Sequence, residues 1–338
     1  MMNKQHFNPP RFLRNPHIQS IMNSVGPRKF SAKRIAKRLK SKKILITTDQ
    51  GVRLTAEFDL AKGQPISHTG LPKPDESKNP LVILIHGWEG SSQSAYQVTT
   101  ANHLLNNGFD VLRLNLRDHG DSHHLNKAVF NSTLIEEVGD AIKVFTKDHK
   151  YSKTFLAGFS LGGNFTLRIT ADRAKELNIA AAVAVCPPVD PNSAMTTMNN
   201  TLFIYEKYFF RRWTTSLKKK LVHFPELNFG ADIESVKTLE DINRTFIPKF
   251  TPFADAKSYF SAYGLIENRL QALAVPAHLI ASEDDPILPI NDLDKINPCK
   301  NLVINRQKHG GHCGFILNVK GESWISQTLV ETFKRYID

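Results

Sequence analysis

Hydrophobic and polar positions along the chain predict buried strands that alternate with helices. Short, continuous apolar runs are typical of strands that are covered on both faces. Such runs occupy residues 81–86, 109–115, 153–159, 179–186, 276–282 and 301–306. Between and after them, amphipathic patterns predict helices at residues 94–107, 133–149, 161–176 and 324–336. The alternation predicts an α/β protein with a mostly parallel central sheet that helices cover on both faces.

Three regions depart from this alternation. Residues 1–42 are rich in Pro, Lys and Arg, and we expect an irregular basic segment with one short helix. A predicted β-hairpin around residues 49–51 opens the main domain, which we place at 43–338, and a loop rich in Pro, Gly and Ser follows at 62–80. The stretch from about 187 to 252 is aromatic, basic and mainly helical in pattern. Because it is too long for a loop in a compact domain, we expect a cap insertion over one end of the sheet.

Ser160 lies at the junction of a predicted strand and a predicted helix, in the sequence Gly-Phe-Ser-Leu-Gly. A sharp strand-to-helix turn needs small flanking residues, and it exposes the serine hydroxyl at the edge of the sheet. The N-terminus of the following helix also favours negative charge that develops nearby. Gly and Ser are common in ordinary turns as well, but the strand-to-helix context favours a catalytic nucleophile.

A serine nucleophile needs a base, and the base needs an acid that orients it. His312 lies in a glycine-flanked loop between the last predicted strand and the last predicted helix, where an imidazole can reach the sheet edge. His309 is the local alternative, but it lies nearer the end of the strand. We predict His312 as the base because its position completes the chain order Ser, Asp, His.

The acid is expected in the loop after the strand at 276–282, where Glu283, Asp284 and Asp285 follow one another. We predict Asp285, because the Asp-x-x-x-Pro spacing to Pro289 resembles the acid loop of many hydrolases that use a serine nucleophile. Asp284 is the alternative, with capping of the loop as its other role. The acid would fix the tautomer of the histidine and stabilise the imidazolium.

The tetrahedral intermediate of acyl transfer needs hydrogen-bond donors for its negatively charged oxygen. The usual donors are the backbone N–H after the nucleophile, here Leu161, and one from the loop after the third strand. That loop comprises residues 86–92, and we predict the backbone N–H of Trp88 as the second donor. Gly87 has no side chain and lets the loop backbone approach the site closely. A plain turn at the strand end is the alternative, and the position directly after a buried run favours the donor.

Residues 117–124, Arg-Asp-His-Gly-Asp-Ser-His-His, bring several His and Asp together, and such clusters can bind metal. Their spacing fits no zinc pattern that we can name, and we expect a structural turn beside the active site instead. We expect no metal and no organic cofactor, because the predicted triad chemistry requires neither.

Composition places the chain among ordinary globular proteins. Of its 338 residues, 41% are hydrophobic and 22% are charged, which excludes a disordered chain. No apolar run approaches the length of a membrane span, and the first residues lack the apolar core of a signal peptide. Three scattered cysteines suggest no disulfide framework and fit a reducing compartment. We expect a cytoplasmic location.

The net charge of +12 is partly local. Residues 28–43 hold nine basic residues and no acidic one, and residues 211–212 and 218–220 add a second cluster. Charge runs are usually solvated surface, and weak peripheral contact with an anionic membrane is the alternative. No zinc-finger spacing or RNA-recognition signature accompanies the basic residues, so we expect no nucleic-acid partner.

Seven tracts of the sequence carry a resemblance to a known family. They are FNPPRFLRNPHIQS near the start, HGWEGSS, RDHGDS, GFSLGGN, FADAKSYF, SEDDP and GGHCGF. Together they resemble the YheT-like branch of the α/β-hydrolase superfamily, which is akin to α/β-hydrolase-domain lipid esterases and fungal medium-chain ethanol acyltransferases. The resemblance extends over nearly the whole chain. It implies the α/β-hydrolase fold, serine hydrolase chemistry and ester or acyl substrates. Residues 190–250 and 263–269 depart most from the family pattern.

We therefore expect a serine hydrolase that cleaves carboxylic esters, acyl or lipid-like, through an acyl-enzyme. An acyltransferase on the same triad and a non-catalytic binding protein of the same fold are the alternatives. The insertion supplies either a lid over an acyl pocket or a packed cap helix, and the helical spacing of its apolar residues favours the packed helix. Those residues are Phe203, Ile204, Phe209, Phe210, Trp213 and Leu217.

Overall fold

The structure, a computed structural model, describes residues 6–61, 79–149, 151 and 153–337. The loop predicted at 62–80 lies outside these residues except for its last two positions. The strands of the described residues are β1 Lys42–Thr47, β2 Arg53–Asp59, β3 Leu81–Ile85, β4 Asp110–Leu114, β5 Thr154–Phe159, β6 Ile179–Val185, β7 Ala277–Ser282 and β8 Leu302–Gln307. They form one sheet in the order β1-β2-β4-β3-β5-β6-β7-β8.

The sheet is mostly parallel, as predicted. Strand β2 pairs antiparallel with both β1 and β4, and the remaining neighbours, from β4 through β8, pair in parallel. The carboxyl ends of β3, β5, β7 and β8 therefore meet at one edge of the sheet. Ligands of open parallel sheets bind outside this edge, and the loops that leave it carry every predicted site residue.

Helices cover both faces of the sheet, and the alternation along β3 shows the two layers. Ile83 and Ile85 belong to the core under one layer, whereas Val82 and Leu84 belong to the core under the other. The first layer includes α4 (Ile135–His149) and α5 (Leu161–Arg173), and the second includes α3 (Ala95–Leu105) and α11 (Trp324–Lys334). The predicted mostly parallel sheet with helices on both faces is confirmed. None of the helices in the described ranges is both long and apolar enough to cross a membrane.

The N-terminal segment differs from the irregular chain that we expected. A 3-10 turn at Arg11–Leu13 leads into α1 (Pro16–Met22), and α2 (Pro27–Leu39) follows and supplies the expected basic helix. Both helices have proline at their first position, where its fixed φ is compatible with a helix and its missing N–H costs no hydrogen bond. Asn15 caps α1 by accepting two backbone N–H groups. Two of the prolines that suggested irregular chain, Pro16 and Pro27, instead start helices.

Helices fill the chain between β6 and β7 and form the cap. They are α6 (Pro191–Asn200), α7 (Phe203–His223), α8 (Gly230–Ser235), α9 (Leu239–Phe250) and α10 (Ala256–Ala262). The cap has its own apolar core, in which Leu217, Leu239 and Phe246 are buried. At the base of α7, the buried Lys220 ammonium donates to Asp118 Oδ1 at 2.8 Å. This pair anchors the longest helix of the cap to the domain below it.

Candidate active site

Ser160 stands on a sharp turn between β5 and α5. Its backbone is left-handed, with φ 53° and ψ −123°, a strained conformation for a residue with a side chain. The neighbouring glycines have no room for a Cβ. At Gly158 a Cβ would lie 2.1 Å from Gly162 O, and at Gly162 a Cβ would lie 2.3 Å from Ile85 O. The Gly-x-Ser-x-Gly spacing therefore follows from the close passage of β3, β5 and the start of α5.

His312 connects the predicted nucleophile to the predicted acid. Its Nε2 lies 2.8 Å from Ser160 Oγ, and its Nδ1 lies 2.8 Å from Asp285 Oδ2. The second carboxylate oxygen, Asp285 Oδ1, accepts the backbone N–H groups of Ile287 at 2.9 Å and Leu288 at 3.0 Å. In the neutral form of His312, the fixed Asp285 carboxylate favours the proton on Nδ1, which leaves Nε2 able to accept one.

The negative charge of Asp285 stabilises the protonated imidazole of His312 and so raises its pKa. Burial of the imidazole acts against its charged form, but the Asp285 carboxylate, the neighbouring Cys313 and the hydrogen bond to Asp285 outweigh burial. Together they raise the pKa of His312 to about 9. The side chain of Asp285 is 3% exposed, so little solvent screens the interaction. The arrangement favours the imidazolium that forms when His312 accepts a proton.

The two alternative residues form a separate pair beside the triad. Asp284 Oδ1 accepts the backbone N–H of Gly311 at 2.8 Å, and Asp284 Oδ2 lies 3.5 Å from His309 Nδ1. Among the described residues, neither side chain is hydrogen-bonded to Ser160 or His312. Asp284 thus holds the loop that carries His312, which is the capping role considered for it.

Leu161 is the first residue of α5, and Trp88 lies in the loop after β3. Both line one cavity together with Ser160 and His312. Within the described residues, neither backbone N–H has a hydrogen-bond acceptor. A Cβ at Gly87 would lie 3.1 Å from Phe159 O and from Ser160 Cβ, so the loop after β3 passes directly beside Ser160. The role of Leu161 and Trp88 as donors to a negatively charged oxygen stays a prediction.

Mostly apolar side chains line the cavity above Ser160, and the centre of a water-sized sphere can occupy about 100 Å³ of it. The cap supplies much of the wall. The Trp88 ring stacks on Phe209 of α7 at 5.0 Å between centroids and meets Trp213 edge-on at 5.2 Å. Leu217 is buried, whereas Phe203 and Ile204 are exposed. Helix α7 is therefore a packed cap helix, as its helical spacing favoured, and two of its residues, Phe209 and Trp213, also line the cavity.

The stretch at 117–124 forms a structural turn. Asp118 accepts the Phe130 N–H at 2.9 Å in addition to its pair with Lys220. His119 Nε2 accepts the Glu89 N–H at 3.1 Å, and His119 Nδ1 donates to Arg117 O at 2.7 Å. Burial lowers the pKa of His119 to about 4. Among the described residues, no group of three or more His, Cys, Asp or Glu side chains is arranged to hold a metal.

Helix α1 contributes contacts that sequence reasoning missed. Ser20 Oγ accepts the backbone N–H of His312 at 2.8 Å and donates to Pro16 O at 2.7 Å. The buried Gln19 side chain accepts the Ile316 N–H at 2.6 Å and donates to Ile316 O at 3.1 Å. A Cβ at Gly311 would lie 2.3 Å from Pro16 O. The only signal in the sequence was the Asn-Pro-His-Ile-Gln-Ser tract, which the resemblance includes without a role.

Curated proteins resemble the chain over most of its length. An abhydrolase domain-containing protein of Dictyostelium discoideum is 24% identical over 344 residues, which cover 98% of this chain and 82% of that protein. The putative esterase YheT of Escherichia coli is 22% identical over 289 residues, covering 83% and 84%. The medium-chain fatty acid ethyl ester synthase/esterase 2 of Saccharomyces cerevisiae is 22% identical over 286 residues, covering 76% and 62%.

Solved structures and a family model agree on the fold. An esterase of Pyrococcus furiosus superposes with a TM-score of 0.58 at 18% identity, over 100% of both chains. The family model for the alpha/beta hydrolase fold matches residues 80–319. This range runs from the start of β3 past the His312 loop and includes all of the predicted site residues. The chain belongs to the α/β-hydrolase fold family.

Proposed function

We propose that the protein is a serine hydrolase that cleaves carboxylic esters through an acyl-enzyme on Ser160. The observation that carries the proposal is the position of His312, with one ring nitrogen 2.8 Å from Ser160 Oγ and the other 2.8 Å from Asp285 Oδ2. A base that contacts a nucleophile on one side and an orienting acid on the other is the functional unit of serine hydrolases on several unrelated folds.

Each step uses a group whose position supports it. As Ser160 Oγ attacks the ester carbonyl carbon, His312 Nε2 takes the hydroxyl proton, and Asp285 stabilises the resulting imidazolium. The carbonyl oxygen becomes negatively charged and accepts the N–H groups of Leu161 and Trp88. His312 then protonates the leaving alcohol as the C–O bond breaks. Water repeats the sequence on the acyl-enzyme and releases the acid.

The cavity supports an acyl chain as the substrate group beside Ser160. Its wall includes Met195, Met198, Trp213 and Phe260, all from helices of the cap. Such a wall offers hydrophobic contact along a chain and few polar partners to a charged or sugar-like group. The names of the Escherichia coli and Saccharomyces cerevisiae relatives, an esterase and an ethyl ester synthase/esterase, support the same substrate class.

The direct test is turnover of a series of p-nitrophenyl esters of graded acyl chain length. We expect Ser160→Ala to lose about a thousandfold or more in kcat on every ester that the wild type cleaves. Ser235→Ala is the matched control, because Ser235 is an exposed serine of α8, outside the cavity. Full turnover by Ser160→Ala would reject the proposal.

Acyl transfer to an alcohol is the second candidate, and the synthase named for the Saccharomyces cerevisiae relative favours it. An alcohol replaces water in the second half of the same cycle, so the triad serves both reactions. Products formed with ethanol present separate them, because transfer yields the ethyl ester and hydrolysis yields the free acid. An ethyl ester fraction above that expected from ethanol's share of the solvent would establish transfer.

A further inference from the structure

The excess of positive over negative charge in this protein lies at one end of the chain. The first 48 residues hold twelve Lys and Arg and no Asp or Glu, so they account for the whole net charge of +12. Lysines 29, 33 and 37 of α2 are exposed, as are Arg11 and Arg14 near α1. The remaining 290 residues are balanced in formal charge. A neutral body with one cationic segment suits a partner that presents many negative charges on a surface.

Most of the exposed large apolar side chains lie in two short segments of the chain. Twelve large apolar side chains are exposed among the described residues, and nine of them lie at residues 12–30 or 202–208. In helix α1, Ile18 and Ile21 are 41% and 43% exposed. At the start of α7, Phe203 and Ile204 are 75% and 51% exposed. Clusters of this kind on a soluble fold mark an interaction site.

These two groups of apolar residues belong to adjoining helices. His17 Nδ1 of α1 lies 2.8 Å from the Tyr205 hydroxyl of α7. Ile18 and Ile21 flank His17 along α1, and Phe203 and Ile204 precede Tyr205 on α7. We call these exposed side chains of two adjoining helices, Ile18, Ile21, Phe203, Ile204 and Tyr208, the docking face. Lys207 and Arg211 are exposed beside it on α7, one helical turn from Phe203 and Tyr208 respectively.

The docking face lies next to the proposed catalytic machinery. Ser20, on the same helix as Ile18 and Ile21, accepts the backbone N–H of His312 at 2.8 Å. Helix α7 carries Phe203 and Ile204 at its start, and Phe209 and Trp213 of the same helix line the cavity above Ser160. A partner seated on the docking face would therefore lie beside the loop and the helix that enclose the cavity.

We propose that the docking face binds the surface of a bilayer that contains anionic lipids, and that the enzyme draws acyl esters from it, a role that rests on the proposed function. Exposed apolar side chains flanked by Lys and Arg are the features by which surface helices insert at the headgroup boundary. The apolar residues would enter the boundary, and the cationic N-terminal segment would attract the anionic headgroups. A nucleic acid would use the charge alone and would leave the apolar side chains in water.

Vesicle flotation with the full chain tests the proposal. We expect the wild type to float with phosphatidylcholine vesicles that contain about one third phosphatidylserine and to float far less with pure phosphatidylcholine. Phe203→Ser/Ile204→Ser should lower the partition onto the anionic vesicles about tenfold or more, because two large apolar groups no longer leave water. Both side chains are mostly exposed, at 75% and 51%, so the substitutions remove little buried contact, and thermal melting checks the fold.

The control is Val222→Ser/Val319→Ser, which removes two apolar side chains that are 78% and 61% exposed outside the docking face. It should float as the wild type does. Two outcomes would overturn the proposal in favour of binding by charge. One is equal flotation of the wild type and Phe203→Ser/Ile204→Ser. The other is that homopolymer RNA is sufficient to displace the wild type from the vesicles. Absence of wild-type flotation would overturn it outright. Ser160→Ala should still float, so failure of docking and failure of the proposed ester chemistry are distinguishable.

Discussion

The backbone N–H of His312 donates to Ser20 Oγ at 2.8 Å, across 292 positions of sequence. The loop that holds the imidazole is thereby fixed by helix α1 of the N-terminal segment. Gln19, the preceding residue, makes a two-point contact with Ile316 at the far end of the same loop. Since Nε2 of His312 must stay within hydrogen-bonding distance of Ser160, the rigidity of this loop bears directly on the chemistry.

Ser20→Ala should lower kcat on a soluble short-chain ester about tenfold while KM changes little, because the His312 loop loses an anchor and the pocket keeps its walls. Ser20→Thr retains a hydroxyl and should restore most of kcat. Steady-state kinetics of both variants, with Ser24→Ala at an exposed position after α1 as control, checks this. An equal loss in the Thr variant would assign Ser20 a purely structural role.

The activity should depend on pH through His312. Only the neutral imidazole can accept the Ser160 proton, and the pKa of His312 is raised to about 9. The value of kcat/KM should therefore rise with pH from 6.5 upward and level off only above the raised pKa. Asp285→Asn removes a main cause of the raised pKa, so the rise should move to lower pH as kcat falls by about 10⁴. A pH profile that Asp285→Asn leaves in place would contradict the assignment of Asp285.

Gly162→Ala should destabilise the fold by about 3 kcal/mol, because its Cβ would meet two backbone oxygens that cannot move away. These are Ile85 O at 2.3 Å and His86 O at 2.4 Å. Gly230→Ala is the control, since its nearest neighbour is the end of the Leu221 side chain at 3.5 Å. Urea unfolding measures both, and the same stability for the two variants would refute the close passage at Ser160.

Stability should fall in mild acid because His119 is buried in its neutral form. Its pKa is lowered to about 4 in the folded protein, so the unfolded chain binds a proton first as the pH drops below about 6.5. This group contributes stability above pH 6.5 and loses it as the pH falls toward 4, by about 2 kcal/mol between pH 7 and pH 5. His119→Gln should remove that part of the slope, and His124→Gln at an exposed position controls for the substitution. An unchanged slope in His119→Gln would show that other groups carry it.

The sequence was most informative where the signal is local. The turn at Ser160 is specified by its own glycines and by the strand and helix on either side, so it was predictable from a short window. The choice of Asp285 over Asp284 was harder, because the two carboxylates are adjacent and only packing directs one to His312 and the other to Gly311. Strand and helix positions followed from apolar periodicity with differences of only a few residues at their ends.

The pattern of hydrophobic and polar residues did not predict contacts between segments that are distant in the sequence. Proline-rich composition at the N-terminus suggested irregular chain, yet Pro16 and Pro27 begin helices, and only the folded chain shows that α1 lies against the His312 loop. Helical spacing showed that α7 has apolar positions but not which element they contact. Phe209 and Trp213 pack on Trp88, whereas Phe203 faces solvent, and no local property separates them.

The central claim is that Ser160 is a nucleophile activated by His312. A fluorescent fluorophosphonate labels such serines covalently, and the time course of labelling, followed by intact mass, tests the claim most directly. We predict one adduct on the wild type, none on Ser160→Ala, and labelling of Ser235→Ala at the wild-type rate. Folded wild type that stays unlabelled, or Ser160→Ala that is labelled as fast, would contradict the account and favour a binding protein that keeps the fold.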